Sequence, residues 1–118
     1  MSLILPLDVR HLLYLPKKIK CMAIQLIKNR SDIGAGTRGS DMGIDAMEIA
    51  AINQSNDYFN RHPFLDVITH NESIYHKNTN NFAKRIEHVK EQCQRVCDAV
   101  KKSFHDGFFP IVLSGDHS

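Results

Sequence analysis

Two places in this 118-residue chain hold residue types and spacings that could do chemistry. The first is Ser114-Gly115-Asp116-His117-Ser118, which follows directly on the apolar run Phe108-Phe109-Pro110-Ile111-Val112-Leu113. A neutral imidazole is a good ligand for first-row transition metals, and Gly115 permits a sharp turn just before it. Asp116 and His117 are neighbours with diverging side chains, so one of them, not both, is expected to face a metal. From spacing alone His117 is either such a ligand or a hydrogen-bonded polar group. The second place is Gly34-Ala35-Gly36-Thr37-Arg38-Gly39, which matches the GxGxxG pattern. A dinucleotide fingerprint needs its first glycine almost at the end of a strand, so that a pyrophosphate meets a helix N-terminus. Here Lys28 to Ile33 intervene and the next helix starts only after the last glycine. The pattern therefore predicts a loop with positive φ at one or more glycines and no nucleotide. Arg38 is expected to act as a structural hydrogen-bond donor in that loop.

The elements that must position these residues follow from periodicity. Residues 20–27 are mostly apolar and short, as a buried strand should be. Lys28 to Ser40 is polar and Gly-rich, hence a loop. A helix over about 41–54 follows, with Ser40 or Asp41 as its cap and Met42, Met47, Ile49, Ala50 and Ala51 as its apolar set. Residues 64–69 read as a second strand, and 71–81 as a long polar loop. Phe82, Ile86, Val89, Cys93, Val96, Cys97, Val100 and Phe104 then recur at spacings of three and four, one face of an amphipathic helix near 80–106. Lys101, Lys102 and His105 suit the negative end of its dipole, and Gly107 stops it. Residues 108–114 form the third strand. Strands alternating with helices predict an α/β fold, a parallel sheet with right-handed crossovers, and the spatial order 2-1-3 is expected for it, with the helices packed on the sheet. In such sheets, chemistry collects at the C-terminal ends of the strands, where both candidate segments fall. Residues 1–19 stand apart as an N-terminal extension, with 20–118 as the α/β domain.

The remaining reactive residues read as structural. His70 ends the second strand, but with one strand between it and His117 the two lie roughly 10 Å apart at ~4.8 Å per strand, too far to share one metal. His11, His62, His76, His88 and His105 show no metal spacing and are expected to be solvated. Cys93 and Cys97, at i and i+4 on the long helix, are poorly placed for a disulfide and read as small core residues. Reduced cysteines suggest the cytoplasm. The formal net charge of +2 is too small to imply nucleic acid or a membrane surface as partner. No apolar run approaches the length needed to span a bilayer. Leu3-Ile4-Leu5-Pro6-Leu7 lacks a basic lead and is broken by Asp8, Arg10 and His11, so no secretory signal is expected.

Taken together, two segments resemble the N-terminal portion of the ureohydrolase family (arginases, agmatinases and formiminoglutamases). Ser31-Asp32-Ile33-Gly34-Ala35-Gly36-Thr37-Arg38-Gly39-Ser40 resembles the early loop of bacterial arginases. Ile111-Val112-Leu113-Ser114-Gly115-Asp116-His117-Ser118 resembles the GGDHS motif, with Ser114 where the family usually has glycine. The Thr37-Arg38-Gly39 wording favours arginase over an agmatinase, guanidinobutyrase or formiminoglutamase. The resemblance implies a three-layer α/β/α fold and a centre of two manganese ions whose bridging hydroxide attacks the guanidinium carbon of arginine, giving ornithine and urea. It assigns His117 as a metal ligand and Asp116 as a residue that supports the motif behind it. The family's DxHxD and DxD motifs and its substrate contacts have no counterpart among these residues. The expectations are therefore no catalytic residue in this chain, one metal ligand only, no activity from the chain alone, and a small guanidino substrate and homo-oligomer for the complete enzyme. A non-catalytic, self-associating α/β piece is the alternative.

Overall fold

The computed structural model describes residues 21–116; the 1–19 extension, His11 and His117 lie outside the described residues. The elements run β1 (Ala23–Asn29), a 3-10 turn (Ser40–Met42), α1 (Gly43–Asn53), α2 (Tyr58–Arg61), β2 (Phe64–Asp66), a second 3-10 turn (Asn71–Tyr75), α3 (Ile86–His105) and β3 (Phe108–Ser114). The sheet is three-stranded, ordered β2-β1-β3. Both pairings are parallel: Leu26 lies opposite Phe64 on one side, and Ala23 to Asn29 run beside Phe108 to Ser114 on the other. The expected α/β fold and strand order are thus observed.

β1 is central because its apolar residues can be covered on every side. Leu26 and Ile27 are at most 1% exposed, the pattern of a parallel strand buried on both faces. Adjacent residues of a strand point to opposite faces, and Lys28 and Asn29 show which helix lies on each. Lys28 pairs with Glu48 of α1, while Asn29 accepts a hydrogen bond from Gln92 of α3 at 2.8 Å. The helices therefore flank the sheet as two outer layers. α2 and the second 3-10 turn fall in stretches whose composition predicts only loop.

Three expectations need correction. β1 continues through Lys28 and Asn29, where the polar composition predicts loop. Both are buried, because Lys28 has Glu48 as counter-ion and lies 3.8 Å over the Phe64 ring, and Asn29 has Gln92 and Ser114 as partners. Second, α1 buries Ile44, not Met42, Met47 and Ile49, which are 45–67% exposed. Third, the apolar stripe of α3 is largely not the buried stripe. Gln92 and Ser103 are buried, whereas Ile86 and Phe104 are about half exposed, Phe82 lies before the helix and is open, and Cys93 and Cys97 are exposed free thiols. The helix is rotated so that the Gln92 NH2 group reaches Asn29, and a buried side-chain hydrogen bond fixes a rotation that the apolar pattern alone does not.

Candidate functional site

The C-terminal ends of β1 and β3 lie side by side, with Asn29 opposite Ser114. The chain leaving β1 and the turn leaving β3 consequently meet. Gly115 donates its N–H to Asn29 O at 3.0 Å. A Cβ on Gly115 would stand 2.7 Å from Ser31 O, 3.0 Å from Ser40 O and 3.1 Å from Asp41 N. All three are backbone atoms, so this position admits no side chain without moving the loop. Asp116, buried, reaches over the same loop: its Oδ2 accepts the N–H of Gly34 at 2.6 Å and of Ala35 at 3.4 Å.

A second carboxylate organises the other half of the loop. Asp32 is fully buried. It accepts the Gly39 N–H at 3.1 Å, the Asp41 N–H at 2.7 Å and the Ser40 hydroxyl, and pairs with Arg38 Nε at 3.1 Å. Burial pushes the Asp32 carboxyl up, but the hydrogen bonds from Ser40, Gly39 and Asp41 outweigh it and hold the group below the usual carboxylate range. Gly36 and Gly39 take positive φ, 73° and 133°, as expected of this loop. Its N–H groups at Gly34, Ala35, Gly39 and Asp41 are thus occupied by the protein's own carboxylates. Arg38 is held between Asp32 and Asp41. The cap expected from Ser40 or Asp41 is corrected: neither caps α1 by side chain, since the Ser40 hydroxyl is engaged by Asp32 and the Asp41 carboxylate by Arg38.

Polar partners brace this corner from three sides. Asn71 donates to Arg30 O at 2.7 Å and accepts the Asp32 N–H at 2.8 Å. Arg85 donates to Ile33 O at 3.1 Å. Gln92 donates to Asn29, Asn29 donates to Ser114 Oγ at 3.1 Å, and the Ser114 hydroxyl donates to Asp116 O at 3.0 Å. Ser114, the departure from the family wording, is therefore a working link in this chain of bonds. A cavity of about 430 Å³ opens beside it, lined by Asn29, Gln92, Cys93, Val96, Val112, Ser114 and Asp116.

Of the residues singled out in sequence, the structure brings Asp116, Gly115 and the Gly-rich loop together. His70 is instead at the second 3-10 turn, on the side of β2, with its ring nitrogens 2.6 Å from Arg95 Nη2 and 3.4 Å from Glu72. His62 and His88 are half-buried rather than solvated, His62 against the Tyr58 ring at 4.5 Å and His88 6.3 Å from the His70 ring. Asp32, Asn71, Arg85 and Gln92 escaped sequence reading. A carboxylate opening a loop rich in N–H groups was the available signal for Asp32. Among the described residues no three His, Cys, Asp or Glu side chains come together to hold a metal. These residues do not by themselves fit a manganese centre.

With this geometry in place, comparison with known proteins finds an arginase from Bacillus caldovelox that is 28% identical over 97 residues. The match covers 80% of this chain and 32% of that enzyme, so the chain spans about a third of the length of the curated relative it matches. No family model matches, and no solved structure matches. This sequence similarity supports an arginase-like relationship. Among the described residues no helix is long and apolar enough to cross a membrane.

Proposed function

We propose that this chain forms the corner of an arginase-like, manganese-dependent hydrolase that carries the first metal-binding histidine, His117, acting in the complete enzyme on the guanidino group of L-arginine. The observation that supports it most is the packing of the Gly115 turn against the Ser31–Asp41 loop, with Asp116 bonded to Gly34 and Ala35. That packing gives Asp116 a supporting role, fixing the backbone from which His117 departs. A metal-binding residue held by such outer contacts binds in one orientation. Manganese, when bound, would supply an activated water; the remaining ligands are not among the described residues, and the 118-residue chain alone is expected to be inactive. The reading includes a cytoplasmic location, supported by three free cysteines, and a homo-oligomeric complete enzyme.

The test is a chimera in which this chain replaces the matched third of the Bacillus caldovelox arginase. Manganese-dependent urea release from arginine, lost in His117→Ala, is expected. A folded chimera with equal activity in His117→Ala would contradict the assignment. Urea released from agmatine or guanidinobutyrate but not from arginine would move the substrate to another guanidino compound.

A further inference from the structure

The start of α3 lies beside the Gly-rich loop, which Arg85 reaches at Ile33 O, and carries a feature of its own. A cavity of about 280 Å³ is bounded there by Ser73, His76, Lys77, Arg85, Glu87 and His88, with the 78–80 loop closing one side. α3 is 20 residues long, and no side chain caps its N-terminus. The N–H groups of Ile86, Glu87 and His88 have no acceptor within the helix, because Val89 is the first to bond back, to Arg85 O at 3.0 Å. Such an end carries partial positive charge. Lys77 and Arg85 outnumber Glu87 among the fully charged groups, so the lining adds to that charge.

A second observation is independent of the helix end. Ser73 lines the same cavity, is only 2% exposed, and its hydroxyl meets no hydrogen-bonding partner. A buried hydroxyl without a partner is unusual and costly. An oxyanion seated in the cavity would be that partner, accepting from Ser73 and from the helix N–H groups while Lys77 balances its charge.

We infer that this cavity is a binding site for a small phosphate group, either the free ion or a monoester. It does not rest on the arginase-like reading. Arg85 contributes charge but also holds Ile33 O, so its removal would disturb the Gly-rich loop. Lys77 and Ser73 make the cleaner variants: Lys77 is exposed, and the Ser73 hydroxyl has no partner to lose.

The experiment titrates the 118-residue chain with inorganic phosphate and, separately, methyl phosphate at constant ionic strength, following backbone amides by NMR. Saturable shifts confined to residues 73–88 are expected, with affinity falling at least fivefold in Lys77→Gln and in Ser73→Ala while the spectra elsewhere stay unchanged. Saturation with inorganic phosphate alone would assign the site to the free ion; saturation with both would assign it to a phosphate monoester as well. Linear, unsaturating shifts, or affinity unchanged in both variants, would overturn the inference.

Discussion

Gly115→Ala is the substitution whose outcome the structure dictates most tightly. The new Cβ would lie 2.7–3.1 Å from three backbone atoms of the Ser31–Asp41 loop. That loop cannot retreat easily, because Asp32 holds three of its groups from a fully buried position. The turn cannot retreat either without lengthening the Gly115–Asn29 bond of 3.0 Å. Overpacking of this kind costs about 1–3 kcal/mol. If the turn shifts enough to break the Asp116 bonds to Gly34 and Ala35, a charged hydrogen bond worth about 1.5–3 kcal/mol goes too. A loss of roughly 3–5 kcal/mol is expected, a large fraction of a small domain's stability. Two other glycines serve as controls. Gly39 has open space around a Cβ but φ of 133°, so Gly39→Ala should cost about 1–3 kcal/mol through backbone strain. Gly43 is helical and unobstructed, so Gly43→Ala should be neutral or stabilising by up to about 1 kcal/mol. Urea unfolding followed by circular dichroism gives all three. If Gly115→Ala falls within about 1 kcal/mol of the parent, or below Gly39→Ala in cost, the close packing of turn and loop is not what holds this corner.

Asp32→Asn should destabilise by about 2–4 kcal/mol, since an amide turns donors toward N–H groups already pointing inward. The Asp32 carboxyl is held below its ordinary value when folded, so its contribution is fully present above the unfolded pKa of about 3.9 and is lost as pH falls through the folded value; urea midpoints between neutral and strongly acidic pH should fall less steeply in Asp32→Asn, and identical slopes would refute this. Lys28→Met strands Glu48 beside β1 and should cost about 2–3 kcal/mol, with Lys28→Met/Glu48→Leu recovering most of it; a double variant no better than the single would show the pair is not the cause. The outer edge of β3 is unpaired among the described residues. Because Gly115 N–H points to β1, the N–H groups of Val112 and Ser114 point outward and Pro110 leaves a gap. Copies of the chain are expected to associate through this edge, and light scattering should show smaller species for Val112→Lys; an unchanged distribution would exclude the edge.

The strand order was legible because three short apolar runs alternate with helical segments, and connection rules leave few ways to arrange them. The meeting of the Gly115 turn with the Gly-rich loop follows from that order, since both segments leave neighbouring strand ends. What the pattern misjudged was rotation and length. Gln92 looks like a surface residue in sequence, and the partner that receives its NH2 group, Asn29, is 63 positions away. Lys28 reads as the start of a loop until Glu48 and Phe64 are brought beside it from two other elements. Asp32 is a polar residue in a polar stretch, and its role depends on N–H groups seven to nine positions later folding back over it. Each case is a buried polar group whose partner lies far along the chain, which local periodicity does not encode.

The most direct test of the proposed metal corner uses the paramagnetism of manganese on the 118-residue chain. Trace Mn²⁺ is added to the isotopically labelled protein, and amide signals are followed in the parent and in His117→Ala. Selective broadening of Gly34, Ala35, Gly115 and Asp116, abolished in His117→Ala, is expected if His117 projects from the strand-end corner toward a metal. Broadening centred on His70, Glu72 and Glu91, or a pattern unchanged in His117→Ala, would contradict it.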